Sequence, residues 1–411
     1  MTGSWLATTL GQVLTLQRGF DLPSHERQQG NVPVVSSSGI TGRHSEARVS
    51  APGVVTGRYG TLGEVFFIER DFWPLNTALY VRDFKGNDPK FVYYLLKSLD
   101  FSSFNDKSSV PGLNRNHLHE MPVIIPADVS EQRAIAHILG KLDDKIELNR
   151  RMNQTLQELA NALFTSWFVT FDPICAMAEG RQPKGMDMES VALFPRTVQA
   201  TKNGPLPAGW HAASILSHAR LLSGGTPRTQ EPAYWNGDVP WASAKDISQS
   251  AEFFLLDTER SITQRGLHES STQLIPALAT VVIARGATTG RMALLGREMA
   301  MNQTCYALVS STETPFTLFL RIQWAIGQMV QAAHGSVFDT ITTSTFAYST
   351  VVLPPPEVLQ AFERMIDPMF KRMLANSMES RTLAELRDTL SRRLLSGELS
   401  LKGLGRVVEE C

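Results

Sequence analysis

The 411-residue chain is 43% hydrophobic, with 29 glycines and 22 prolines scattered along it, which is ordinary for a soluble globular protein of two or three domains. Its three cysteines, Cys175, Cys305 and Cys411, lack the pairing or spacing of a disulfide framework or a zinc site, and no stretch approaches the ~18 apolar residues of a membrane span, so free thiols, no membrane partner and a cytoplasmic location are expected. A net charge of −1 neither supports nor excludes nucleic acid, because acidic residues elsewhere can hide a local basic face in the total.

From Trp5 to about residue 127 the chain shows short apolar runs bounded by turn residues. These predict strands at 32–35, 53–56, 64–68, 78–81 and 123–125, with a helix over 91–99 that carries Val92, Leu95, Leu96 and Leu99 on one face. A long helix then starts near Ser130, where Asp128 and Glu131 have capping-box-like spacing, and Pro173 limits its end. Its apolar stripe steps by four and three through Ile135, Leu139, Leu142, Ile146, Asn149, Asn153, Leu156, Ala160, Leu163 and Trp167, the pattern of a coiled-coil seam. Residues 171–209, rich in Pro and Gly around an apolar island at 191–194, read as an ordered connector. A second head follows from about Trp210 to Pro355, with strands at 239–241, 280–284, 292–295, 307–309 and 351–353 and a helix over 316–332. The last helix opens after residues 354–356 and closes at Gly397.

Adding 227 to a residue number maps Arg58 to Arg285, Gly63 to Gly290, Thr77 to Thr304, Asn149 to Asn376 and Leu156 to Leu383, so the chain is one unit read twice. The same shift carries the first stripe onto Phe362, Ile366, Met369, Met373, Asn376, Ser380, Leu383, Arg387, Leu390 and Leu394. Polar residues interrupt both stripes at the same place, and a buried Asn there fixes register. In a fully overlapped antiparallel pair, Asn149 falls beside Asn376 near the centre. Arg387 opposite Ala160 breaks the correspondence, and the sequence offers no reason for it.

There is no GxxxxGK[ST] loop, GxGxxG after a strand, HExxH or GxSxG, nor the Asn/Asp-Pro-Pro-aromatic tetrapeptide of amino-methyltransferases. His117 and His119 would share one face of a strand, a weak metal signal against the commoner surface role. What recurs instead is a glycine-flanked basic loop after an apolar strand, RYGTLG at 58–63 and RGATTG at 285–290. Either loop alone reads as a tight hairpin with a surface arginine; its recurrence points to a function. Glycine lets backbone approach a partner, while Arg58, Tyr59 and Thr61, or Arg285, Thr288 and Thr289, supply donors for phosphates and base edges. A second polar stretch precedes the last strand of each head: Lys107, Ser108, Asn114, Arg115 and Asn116 in one, Ser336, Thr342 and Thr343 in the other. Arg43, Lys245 and Arg291 complete the DNA-contact candidates.

The chain resembles the specificity (S) subunits of type I restriction-modification enzymes. The likeness rests on the duplication, on Trp5 and Trp210, on GNVP at 30–33 against GDVP at 237–240, on GGTP at 224–227, and on VIIP and VVLP before the two long helices. The connector adds Phe171-Asp172-Pro173, Gly185-Met186, Leu193-Phe194-Pro195 and Leu206 through Trp210. In the first head Arg18-Gly19-Phe20-Asp21 replaces GGTP, which leaves its local conformation open. The resemblance implies an α+β protein: two tandem α/β target-recognition domains separated by a pair of long antiparallel coiled-coil helices, with internal pseudo-two-fold symmetry. The segments would be 1–129 (first recognition domain), 130–172 (long helix), 173–208 (connector), 209–355 (second recognition domain), 356–400 (C-terminal helix) and 401–411 (tail). It further implies a non-catalytic reader of double-stranded DNA from a prokaryotic cell, binding a bipartite asymmetric site and bringing no cofactor itself. Two modification subunits carrying S-adenosylmethionine would dock on the helices and methylate adenine, and ATP-dependent restriction subunits would join that complex. Forty helical residues span ~60 Å, which suits half-site centres about one DNA turn, ~34–36 Å, apart. A protein-binding scaffold, or the specificity module of a fused methyltransferase or nuclease, are the other readings.

Overall fold

The computed structural model describes residues 5–60, 63–101, 112–201, 204–250, 252–332, 340–399 and 401. The chain divides into two compact units, Met1–Ile146 with Thr382–Cys411, and Glu147–Arg381. Both divisions fall inside a long helix, Val129–Phe168 or Pro356–Leu395, because each helix lends one part of its apolar stripe to each unit's core. Among the described residues no helix is long and apolar enough to cross a membrane.

In the first unit a four-stranded antiparallel sheet runs Thr15–Arg18, Ala78–Asp83, Gly53–Gly57, Val65–Ile68. A three-stranded sheet places Val32–Ser36 between Gly39–His44 and Trp73–Pro74, and Trp5–Thr9 pairs with Pro122–Pro126. Helix Pro89–Ser98 starts where the Asp88 carboxylate accepts the Phe91 N–H at 2.9 Å and Pro89 takes the first position, which needs no N–H. Its face of Phe91, Val92, Leu95 and Leu96 packs with Val54, Leu79 and Val81 of the sheet. Ile135, Ala136 and Leu139 of the central helix enter the same core, as do Leu394, Leu395 and the half-buried Leu390 of the terminal helix. Arg387 has its explanation here. Its Nη1 donates to Asp143 Oδ1 at 2.7 Å, and the Tyr94 hydroxyl donates to the other carboxylate oxygen at 2.6 Å. Burial, reinforced by that hydrogen bond, holds the Tyr94 phenol well above its ordinary pKa. The residue that interrupts the stripe is therefore held in a half-buried, hydrogen-bonded triad.

The second unit repeats the topology. Its five-stranded sheet runs Ala219–Ser223, Cys305–Ser310, Thr280–Ile283, Met292–Leu295, Phe254–Leu255, and its three-stranded sheet places Trp235–Ala242 between Ser261–Ile262 and Ala300–Met301. His211–Ser214 pairs with Thr350–Leu353. The central helix ends at Phe168; Phe171 then takes a left-handed conformation (φ 55°) ahead of Pro173, and the connector continues as helices Asp172–Ala178 and Met188–Ala192 and the hairpin Val198–Thr201/Gly204–Pro207. Phe194 and Trp210 pack their rings 5.0 and 6.0 Å from Trp167 and Phe168 respectively, so the connector closes an aromatic core built with Phe362 and Phe370. Helix Pro315–Ala332 is capped from the terminal helix: Glu363 accepts the N–H groups of Phe316 and Thr317 at 3.1 and 2.8 Å.

The shift of 227 expected from the helices does not hold throughout. Gly19 corresponds to Gly224, a shift of 205, and Gly30 to Gly237, a shift of 207. A Cβ at Gly19 would strike the carbonyl of Leu75, and one at Gly224 that of Asn302. Phe20 N–H donates to Pro74 at 2.8 Å as Gly225 N–H does to Met301 at 2.9 Å, and Asn76 bonds Asp21 as Gln303 bonds Thr226. The RGFD segment therefore keeps the backbone of GGTP. The difference in shift arises because the second head carries additional chain around 244–268, including helices Ala244–Gln249 and Gln264–His268 and strand Phe254–Leu255.

Within the second unit the helices run antiparallel: Asn149 lies against Asn376 and Ser380, Asn153 against Met373 and Ser377, and Phe164 and Phe168 against Phe362. Asn149 and Asn376 are buried, with Asn149 Nδ2 donating to the Asn376 carbonyl at 3.4 Å and to Glu379 at 2.8 Å. Asn376 Nδ2 donates to Asn153 Oδ1 at 2.8 Å. Met369, Leu156 and Leu163 flank this layer half-buried, Ile366 and Met373 are fully buried, and Leu142, Ile146 and Leu383 are half-buried in their own units. Asn153→Ala would leave the buried Asn376 amide without that acceptor, and should cost about 1–3 kcal/mol. The check is a fall in the denaturant midpoint at unchanged slope; an unchanged midpoint would mean that the polar layer contributes nothing to stability.

Candidate nucleic-acid interface

In the first head the strand Gly53–Gly57 delivers the basic loop, and Gly60 and Gly63 turn it with φ of 80° and 85°. The Arg58 and Tyr59 N–H groups both donate to the Thr77 carbonyl, at 3.0 and 3.2 Å. The guanidinium of half-buried Arg58 lies 4.5 Å from the centre of the exposed Tyr59 ring. Tyr59 bridges Gly112, where its ring occupies the space a Cβ would need, and Leu113 N–H donates to the Arg58 carbonyl at 2.9 Å. These interactions set the loop beside Asn114, Arg115 and Asn116, all exposed. Two polar stretches 55 residues apart in sequence, from Tyr59 to Asn114, thus form one surface.

The second head is built the same way. Gly286 and Gly290 have φ of 102° and 88°, and Thr289 folds its hydroxyl onto the Gly286 carbonyl at 2.7 Å. Arg285 bridges Thr340, Ile341 N–H donates to the Ala284 carbonyl at 2.8 Å, and Thr342 with Thr343 follows directly. Arg285 and Thr343 are exposed and Thr288 half-buried. Arg291 donates to the Ser248 carbonyl at 2.6 Å, and Lys245 is paired with Glu259 at 2.5 Å, which reduces its net positive field. Arg43 is exposed on strand Gly39–His44. Thr61, Lys107, Ser108 and Ser336 lie outside the described residues.

The sequence did not reveal what two of these residues do locally. Asn114 caps helix Arg115–His119 by accepting the Asn116 N–H at 3.0 Å, and Thr342 caps helix Thr343–Tyr348 through a reciprocal box with Thr345. Their side-chain oxygens are committed to the backbone; Asn114 keeps its amide donors. The available signal was the helix-start pattern of Thr342 with Thr345 three residues on. The expectation of a strand carrying His117 and His119 fails, because these residues are helical and i,i+2 side chains do not share a helix face. His119 Nε2 instead accepts the Leu16 N–H at 2.9 Å, and burial, with Lys85 and Arg115 nearby, pushes its pKa down. Among the described residues no three His, Cys, Asp or Glu side chains gather as a metal site requires.

The model of the type I restriction modification DNA specificity domain family matches residues 3–158 and 213–372, once on each half. The chain belongs to this family. Among its relatives, the specificity subunit of the type I restriction enzyme HindI from Haemophilus influenzae is 25% identical over 391 residues, covering 82% of this chain and 84% of that one. The specificity subunit of MjaIX from Methanocaldococcus jannaschii is 22% identical, covering 80% and 74%. In fold, the chain is similar to the crystal structure of a type I restriction-modification S subunit from M. genitalium, with a TM-score of 0.61 at 14% identity over 96% of both chains. The duplicated heads are thus the family's repeated specificity domain, and each begins near the strand pair that starts at Trp5 or His211.

Proposed function

We propose that the chain is the DNA-specificity subunit of a type I restriction-modification complex, with each head reading one half of an asymmetric, interrupted site. The observation that carries this is a loop surface built twice on the same backbone plan with different side chains. Half-buried Arg58 and exposed Tyr59, Asn114, Arg115 and Asn116 occupy these loops in one head; Arg285, Thr288, Thr289 and Thr343 occupy the matching loops of the other. Equivalent backbones position phosphates alike, while unlike side chains read unlike bases. Methylation and cleavage fall to partners: two modification subunits docked on the helices, and restriction subunits that join through them. This assembly would act in the cytoplasm, where its DNA is.

An electrophoretic mobility shift on genomic fragments, with the chain alone and with its modification subunit, tests the reading. Sequence-selective retardation that is strengthened by the modification subunit is expected. Equal retardation of every fragment under both conditions would overturn it.

A further inference from the structure

Strand Val65–Ile68 ends the four-stranded sheet of the first head. Gly57 N–H donates to the Glu64 carbonyl at 3.3 Å, and Val55 and Gly53 pair with Phe66 and Ile68. By the alternation of an antiparallel ladder, Glu64, Phe66 and Ile68 bond inward, while Val65, Phe67 and Glu69 turn their N–H and C=O groups outward. A groove of about 620 Å³ follows that edge, lined by Ile40, Phe67, Arg70, Lys90, Tyr93 and Asp143 among others. Ile40 is 62% exposed and Phe66 and Phe67 are only half-buried. An apolar edge that is unpaired among the described residues is a template for another strand.

The duplicate head shows what fits there. Its corresponding strand, Met292–Leu295, is covered in parallel by Phe254–Leu255, with Leu294 N–H donating to Phe253 at 3.2 Å and Gly296 N–H to Leu255 at 2.9 Å. Shifted by 227, those donors are Phe67 and Glu69, the outward-facing N–H groups of the open edge. Phe253 seats its ring 4.5 Å from Phe319 and 5.2 Å from Phe370. The covering strand belongs to the additional chain of the second head, and among the described residues the first head has no counterpart.

We propose that the first head binds an extended segment of a partner protein as a fifth, parallel strand along Val65–Ile68. The segment would present two bulky apolar residues preceded by an acidic one, as Glu252 precedes Phe253 and Phe254. Asp143 is already engaged by Arg387 and Tyr94, which leaves Lys90, 6.0 Å from the Phe67 ring centre, and Arg70 as the cations that favour an acidic neighbour. Main-chain bonds would supply affinity and the side-chain pair selectivity.

The test uses the full chain and a fluorescent peptide with the sequence of residues 249–260, the protein's own covering strand offered in trans. Two variants report on the groove. Phe67→Pro removes an outward N–H that the sheet does not use, a position where an edge strand tolerates proline, and Ile40→Lys places a charge at an exposed position. Saturable binding is expected, with the Phe67 and Glu69 amides slowed in hydrogen exchange and affinity reduced roughly tenfold or more in both variants. Three results would each overturn the proposal: no saturation at about 1 mM peptide, unchanged affinity in both variants, or Phe67 and Glu69 amides that already exchange as slowly as the sheet core in the free chain. If Phe67→Pro lowers the melting temperature, Ile40→Lys and the exchange measurement decide.

Discussion

Arg58→Ala and Arg285→Ala are each expected to relax recognition in one half of the DNA site and leave the other half intact. The two arginines follow equivalent strands, and each adjoins the segment that leads into a short capped helix, at Leu113 or Ile341. They stand on different heads, so removing a base-reading side chain from one leaves the sequence preference of the other unchanged. Removing a bidentate interaction with a base should cost about 1–3 kcal/mol at a single base pair, whereas removing a phosphate interaction should weaken all sequences and lower the salt slope by roughly one unit. Binding of the complex to site variants at several salt concentrations separates the cases. Unchanged affinity and salt dependence in both variants would refute the assignment of these loops. Tyr59→Ala should act in the same direction as Arg58→Ala, because the ring packs against the guanidinium and against Gly112.

A heptad inserted into both long helices, after Ile146 and before Thr382, should lengthen the nonspecific spacer of the recognised site by roughly 3 bp. Seven residues add ~10 Å of helix, and ~10 Å of duplex is about 3 bp at ~3.4 Å each. A whole heptad keeps the apolar stripe facing its partner, and the two insertion points coincide with the division between the compact units. Three base pairs also turn the far half-site by about a third of a helical repeat of 10–10.5 bp, so weaker binding should accompany the longer spacer. Insertion into one helix alone lengthens only one of the two helical connections between the units, by ~10 Å, and should impair assembly. A folded, active, doubly extended complex that keeps the original spacer would rule out the helices as ruler.

The long helices were legible because apolar residues at steps of three and four, a capping signal and a limiting proline all bear on the same 40 residues. Strands 53–57 and 280–283 were legible because they are buried on both faces and read as continuous apolar runs. Trp5–Thr9 and His211–Ser214 were not, since each is short, half-exposed and defined only by a partner more than a hundred residues away. The same distance concealed the Tyr94, Asp143 and Arg387 triad, which joins three elements and has no local pattern. In the loops the residue types were legible and their tasks were not. Asn and Thr serve helix caps and base edges with the same atoms, and only the backbone N–H beside Asn114 or Thr342 distinguishes the two uses. The changing shift between the halves, 205 near Gly19 and 227 at the helices, followed from the extra chain in the second head.

The most direct measurement is a genome-wide map of methylated adenines in cells that make the chain together with its modification subunits, compared with cells lacking the chain alone. A two-headed specificity subunit predicts methylation that depends on the chain and falls in two short, unlike sequence elements separated by a spacer of fixed length and free composition. Methylation that persists without the chain, or that marks one uninterrupted sequence, would contradict it.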